Sequence, residues 1–69
     1  MSDQNQTAKG TERLRVLIVD DEDRFRESLS KQLEMRGFEV FDASNGEDAI
    51  KIVRHDNPEV VILDQKMPG

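Results

Sequence analysis

The sequence predicts an α/β fold in which three parallel strands alternate with two helices, in the order β-α-β-α-β. Three short apolar runs, rich in β-branched residues, are separated by segments with the apolar spacing of helices. Alternation of this kind implies a parallel sheet with right-handed crossovers. Acidic residues follow two of these runs: the first apolar run ends in Asp20 and Asp21, and the last one ends in Asp64.

The first strand is predicted over residues 15–19. This run is apolar without alternation, as in strands that are covered on both faces. A helix is expected to follow, with the acidic residues 21–23 capping its start and favouring the positive end of its dipole. Gly37 is expected to end that helix in the left-handed conformation.

The first helix is predicted to be amphipathic. Its core-facing stripe is expected to consist of Phe25, Leu29 and Leu33, which recur at i, i+4 and i+8. The basic side chains of the helix are expected to form a solvated face: Arg24, Arg26 and Lys31.

The second half of the chain predicts two strands with a helix between them. An alternating strand is expected over residues 38–43, followed by a turn at 44–46 that can cap a helix over 47–54. The third strand is predicted over residues 59–63. The inner face of the second helix is expected to consist of three apolar residues: Ala49, Ile50 and Val53.

Composition limits the possible functions. A chain of 69 residues allows at most one small domain, and its polar first residues, 1–13, are expected to be a disordered leader. A net charge of -5 argues against nucleic acid or an anionic membrane as a partner of this segment. No apolar run approaches the roughly 20 residues that cross a bilayer. The absence of cysteine allows the cytoplasmic location that we expect.

The aspartates predict a metal and phosphoryl site. Because ligands of open parallel sheets sit beyond the carboxyl ends of the strands, Asp20, Asp21 and Asp64 are expected at one edge. Three converging carboxylates would repel each other unless a cation lay between them, and Mg²⁺ accepts carboxylate and phosphate oxygens. Zinc is disfavoured, since the chain has no cysteine and one histidine. An aspartate at a strand end can also act as a nucleophile toward phosphorus.

Several motifs together resemble the receiver domain of two-component response regulators. They are the element order, VLIVDDE at residues 16–22, Asn-Gly at 45–46 before the second helix, and VILDQKMPG at 61–69. The resemblance implies a flavodoxin-like receiver fold with strand order 2-1-3. It also implies that residues 14–69 are a partial receiver domain that lacks the last two β-α units, which carry a hydroxyl residue and a lysine that contact the phosphoryl group.

The resemblance implies a role for each site residue. Asp64 looks like the aspartate that accepts a phosphoryl group, and Asp21 looks like a direct Mg²⁺ ligand. Asp20 looks like the acid that holds the metal through water, and the backbone carbonyl of Lys66 looks like a further protein ligand. Gln65 departs from the family, which more often has an aliphatic residue there.

The implied function is that of a signalling switch rather than a turnover enzyme. Its expected partner is a sensor histidine kinase or a phosphotransfer protein, and the resemblance allows the intact form to dimerise. One alternative is an aspartate-nucleophile phosphatase of α/β fold, although Asp20 and Glu22 match its strand motif poorly and Asp64 would be left unexplained. Another is a receiver-like interaction module that is not phosphorylated.

Overall fold

The described part of the chain folds into one parallel sheet with two helices. A computed structural model describes residues 13–64, so predictions for residues 1–12 and 65–69 lie outside the described residues. The described elements differ from the predicted bounds by at most one or two residues. They are β1 (Arg15–Val19), α1 (Asp23–Met35), β2 (Glu39–Ala43), α2 (Gly46–Asp56) and β3 (Val60–Leu63). The parallel strands lie in the order β2-β1-β3, which confirms the predicted fold class and strand order.

The core of the molecule is built on β1, the central strand. Leu17, Ile18 and Val19 are almost completely buried. On one face of the sheet, α2 packs on a cluster of buried side chains through Ala49 and Ile52. The helix α1 lies on the opposite face, because the two right-handed crossovers run in opposite directions from β1 and β2. Neither described helix combines the length and apolar character that a membrane span requires.

The buried face of α1 differs from the predicted stripe. Phe25 is 51% exposed, so its assignment to the core is wrong, whereas Leu29 and Leu33 are partly buried. Ser30 is buried, and the side chain of Arg26 is only 13% exposed, so the assignment of Arg26 to a solvated face is also wrong. The reason is that α1 contacts β1 and β2, which orients the row formed by Arg26, Ser30 and Leu33 toward the sheet.

The inner face of α2 also differs from the predicted one. Ile50 and Val53 are 54% and 44% exposed, so only Ala49 of the predicted set lies against the core, together with Ile52. Successive residues of a helix lie about 100° apart around its axis. Because α2 contacts β1 and β2, Ala49 and Ile52 face the sheet, and Ile50 and Val53 face away from it.

Three predictions concern helix ends: the side-chain cap of α1 is wrong, whereas the cap of α2 and the left-handed residue after α1 are confirmed. Glu22 occupies the position before α1, but its side chain makes no capping hydrogen bond, and Asp23 lies in the first turn. At α2 the side chain of Asn45 accepts a hydrogen bond of 2.9 Å from the Asp48 N–H. Gly37 has a φ of 97°, which confirms the left-handed residue after α1.

Candidate functional site

Three aspartates gather at the edge of the sheet where β1 and β3 end. One carboxylate oxygen from each of Asp20, Asp21 and Asp64 lies within 4.8 Å of the other two. Asp20 is buried, Asp21 is exposed, and Asp64 is partly buried. The structure therefore brings together the three carboxylates that the sequence places at this edge. Lys66, the fourth predicted site residue, lies outside the described residues.

Backbone hydrogen bonds fix two of these aspartates in line with the sheet. The Asp20 N–H donates to the carbonyl oxygen of Ala43 at 3.1 Å, which continues the pairing of β1 with β2. The Asp64 N–H donates to the carbonyl oxygen of Val19 at 3.1 Å, which continues the pairing of β1 with β3. The relative position of the two residues is therefore set by the strand register.

Asp20 is the most enclosed member of the cluster, with 2% of its surface exposed. Its carboxylate oxygen Oδ1 accepts a hydrogen bond of 2.9 Å from the N–H of Glu22. Its carbonyl oxygen accepts one of 2.7 Å from Nη1 of Arg26. Burial of a charged group is costly unless polar partners replace the lost water. The Glu22 N–H is such a partner for the carboxylate, and Arg26 satisfies the buried backbone carbonyl.

Arg26 is the site residue that the sequence analysis missed. Its Nη2 donates to Oδ1 of Asp23 at 2.7 Å, and its Nε lies 3.7 Å from Oδ1 of Asp42 on β2. A signal was available, because Arg26 shares a helical row with Ser30 and Leu33, at i+4 and i+7. Only Leu33 of that row is apolar, so the row indicates burial less clearly than the predicted stripe does.

A groove of about 360 Å³ begins at the aspartate cluster and runs between α1 and β3. Asp20 and Asp64 form its polar end. Its remaining lining is apolar and consists of Ile18, Val19, Phe25, Ile62 and Leu63. Asp20 and Asp64 therefore lie at the polar end of a groove whose other lining residues, among residues 13–64, are apolar.

The donor set fits a magnesium ion. Mg²⁺ binds oxygen ligands at about 2.1 Å, so two oxygens on the same ion are at most about 4.2 Å apart. The three carboxylate oxygens already lie within 4.8 Å of one another and offer neither sulfur nor nitrogen. Mg²⁺ usually keeps several of its waters, so one of the three carboxylates can hold it through a water molecule instead of directly. The mutual repulsion of the three carboxylates also favours a cation between them.

Comparison with known proteins places the chain in a family. Residues 16–69 match the family model described as response regulator receiver domain. Relatives described as transcriptional regulators include ycf27 of Porphyra purpurea, which is 46% identical over 54 residues, or 78% of this chain. Another is SrrA of Staphylococcus aureus, which is 43% identical over 53 residues, or 77% of this chain. In both comparisons the chain spans only 22% of the relative.

A solved structure agrees with the fold and extends the comparison. It is the signal receiver domain of a protein described as a Luxo repressor, from Vibrio parahaemolyticus. The match has a TM-score of 0.72 and 30% identity, and it covers 83% of this chain and 44% of the solved chain. The match over residues 16–69, the related sequences and the shared fold lead to one conclusion: the chain belongs to the response regulator receiver domain family.

Proposed function

We propose that Asp64 accepts a phosphoryl group from a sensor histidine kinase or a phosphotransfer protein, with Mg²⁺ at the aspartate cluster. The phosphorylated chain would then switch a downstream output in a two-component relay. One observation carries the proposal: Asp20, Asp21 and Asp64 come from two strand ends far apart in sequence, yet their carboxylate oxygens lie within 4.8 Å. Family membership supports the same reading.

The surroundings of each aspartate support a division of roles around the metal. Asp21 is exposed, so its carboxylate is free to bind Mg²⁺ directly. Asp20 is 2% exposed and one of its oxygens accepts the Glu22 N–H, which suits it to hold the metal through water. Asp64 provides a further oxygen, and the resemblance assigns the last protein ligand to the backbone carbonyl of Lys66.

The proposed chemistry is a direct phosphoryl transfer. A carboxylate oxygen of Asp64 forms a bond to phosphorus, the P–N bond of the donor phosphohistidine breaks, and its electron pair returns to the imidazole nitrogen. Bound Mg²⁺ would neutralise the phosphoryl oxygens. The protein positions the nucleophile through the hydrogen bond from the Asp64 N–H to Val19. The product adds negative charge at the strand ends, which can bias a two-state surface.

The same proposal includes the setting of the protein. We expect a cytoplasmic signalling switch, with residues 1–13 as a leader and 14–69 as part of a receiver domain, and the intact form is free to dimerise. The net charge of -5 disfavours binding of this segment to nucleic acid or an anionic membrane. A phosphatase that used Asp20 as its nucleophile finds little support, since that residue is 2% exposed.

Phosphotransfer to the Asp64→Asn variant tests the proposal. The unsubstituted protein is expected to gain label from a phosphorylated histidine kinase in the presence of Mg²⁺, and hydroxylamine should remove it, as it does from an acyl phosphate. The variant should gain no label, because an amide oxygen is a poor nucleophile. Electrophoresis with a radioactive phosphoryl donor measures both results.

A matched control is Asp56→Asn, which removes a carboxylate at the end of α2, where it pairs with His55 outside the cluster. This control should be labelled as the unsubstituted protein is. Labelling that persists in Asp64→Asn would contradict the proposal. Hydrolysis of a small phosphomonoester in large molar excess over the protein would favour the phosphatase instead.

A further inference from the structure

We infer that Arg26 is a positioning residue for the metal site: its guanidinium holds the loop at residues 20–22 in the conformation that presents Asp20 and Asp21. The inference deepens the proposed function and rests on it, since the loop belongs to the proposed Mg²⁺ site. Arg26 itself would not touch the metal. Its contacts go to the backbone of the loop and to acids outside the aspartate cluster.

The guanidinium of Arg26 bridges the two ends of this loop. Nη1 donates a hydrogen bond of 2.7 Å to the carbonyl oxygen of Asp20, directly after β1. Nη2 donates one of 2.7 Å to Oδ1 of Asp23, in the first turn of α1. The side chain is 13% exposed, so water competes little for these contacts. The end of the strand and the start of the helix are therefore tied by one rigid, planar group.

The sheet holds Arg26 from its other side. Nε lies 3.7 Å from Oδ1 of Asp42 on β2, and Ser30 donates a hydrogen bond of 3.4 Å to Oδ2 of the same carboxylate. Within residues 13–64, Nε is the buried side-chain nitrogen that has no hydrogen-bond partner. The guanidinium is therefore held by hydrogen bonds from its two terminal nitrogens, and Asp42 places an opposite charge beside Nε.

Two hydrogen bonds donated by backbone N–H groups close the loop itself. The Glu22 N–H donates to Oδ1 of Asp20 at 2.9 Å, and the Arg26 N–H donates to the carbonyl oxygen of Glu22 at 3.0 Å. Asp21 lies between these anchors and is exposed. Release of the Asp20 carbonyl would therefore free the peptide that joins Asp20 to Asp21, so the Asp21 carboxylate would lose its fixed relation to Asp64, although the Asp20 N–H stays paired with Ala43.

The positioning role of Arg26 and its positive charge predict opposite effects on Mg²⁺ affinity when the residue is removed, which makes the inference testable. Arg26 is a cation beside an acidic cluster, so by charge alone its removal would tighten Mg²⁺ binding. If its main effect is to position the loop, removal weakens binding. Lysine keeps the charge but cannot form the planar fork of two hydrogen bonds. Arg26→Lys should therefore bind Mg²⁺ no better than Arg26→Gln.

The first experiment measures the Mg²⁺ dissociation constant by titration calorimetry on the unsubstituted chain and on both variants. We expect Arg26→Gln and Arg26→Lys to bind Mg²⁺ about 10-fold more weakly, as for other residues that orient metal ligands. The matched control is Arg24→Gln, which removes the same charge from an exposed position of α1 and should bind Mg²⁺ no more weakly than the unsubstituted chain. Unchanged or tighter binding by Arg26→Gln, or an equal loss in the control, would overturn the inference.

A second measurement needs no metal and separates this inference from the proposed function. Hydrogen exchange by NMR in metal-free protein should show faster exchange of the Glu22 amide in both Arg26 variants than in Arg24→Gln. The amides of β1 should exchange as before. If the unsubstituted chain binds no Mg²⁺, the proposed metal site is wrong. Hydrogen exchange alone then tests whether Arg26 positions the loop. An unchanged Glu22 amide, or equal acceleration in β1, would refute positioning of the loop.

Discussion

Gly37 shows how one residue sets the end of a helix. Its φ of 97° lies in the region that side chains with a Cβ adopt only under strain. The Gly37 N–H donates to the carbonyl oxygen of Glu34 at 3.0 Å, and the Phe38 N–H donates to that of Leu33 at 3.1 Å. This pair of bonds is the Schellman motif, which satisfies the last carbonyls of α1 and turns the chain toward β2.

Alanine substitution of the two described glycines should have opposite effects. Gly37→Ala is expected to lower the free energy of unfolding by about 1–2 kcal/mol, through backbone strain alone, because an added Cβ would meet nothing within 4 Å. Gly46→Ala also meets nothing within 4 Å and has no positive φ, so it should stabilise by about 0.5–1 kcal/mol. Urea denaturation measures both changes. Equal effects at the two positions would contradict the role of the Gly37 backbone.

The sequence predicted single residues well where a local rule applies and poorly where partners come from elsewhere. Gly37 follows from helix-end chemistry, and the edge at which Asp20 and Asp64 lie follows from the ends of apolar runs. Arg26 could not be placed in the same way, because arginine is exposed by default. Its burial depends on Asp42, which the fold brings in from β2.

The two helices begin in different ways. The N-terminal turn of α2 is capped by Asn45, whose side chain accepts the Asp48 N–H at 2.9 Å. Glu22 occupies the same position at α1 and makes no side-chain capping bond. The start of α1 is held instead by Arg26 and by the carboxylate of Asp20, so this helix end is coupled to the aspartate cluster.

Removal of each capping side chain tests this difference. Asn45→Ala should lower the free energy of unfolding by about 1 kcal/mol, because the Asp48 N–H loses its partner. Glu22→Ala should change it little, since that side chain makes no cap bond. Thermal and urea denaturation followed by circular dichroism would measure both. A loss in Glu22→Ala as large as that in Asn45→Ala would contradict this account.

The elements were more predictable than the helix faces. β1 has the predicted bounds because its apolar run is bordered by charge on both sides. The face of α2 was not predictable in the same way. Ala49, Ile50, Ile52 and Val53 offer two overlapping apolar pairs, and only the position of the sheet selects the pair that is buried. Periodicity identifies a helix more reliably than it identifies its contacts.

At the scale of the whole molecule, β3 is notable because three of its four residues have exposed apolar side chains. Within the described residues this strand pairs with β1 on one side only. Val60, Val61 and Leu63 are 39%, 46% and 64% exposed, on both faces of the sheet. An open, uncharged strand edge with apolar side chains is a template for pairing with another chain.

We predict that the chain of 69 residues, studied alone, self-associates through β3. Val61→Lys should reduce the association, because a charge at the strand edge disfavours pairing between chains. Ile50→Lys should reduce it less, although Ile50 is similarly exposed, since it lies on α2. Sedimentation velocity over a range of concentrations measures the effect. A sharp thermal transition that is independent of concentration would contradict the prediction.

The hydrogen bonds from Asp20 to Ala43 and from Asp64 to Val19 have a thermodynamic consequence. Each continues a different strand pair: pairing of β1 with β3 brings the carboxylates together, and β2 holds the end of β1 that carries Asp20. Any cation that binds this cluster and not the unfolded chain stabilises the entire sheet by mass action. At a concentration 100 times its dissociation constant, that stabilisation is about 2.7 kcal/mol. Occupancy of the site and integrity of the sheet are therefore linked equilibria, and a change in either one shifts the other.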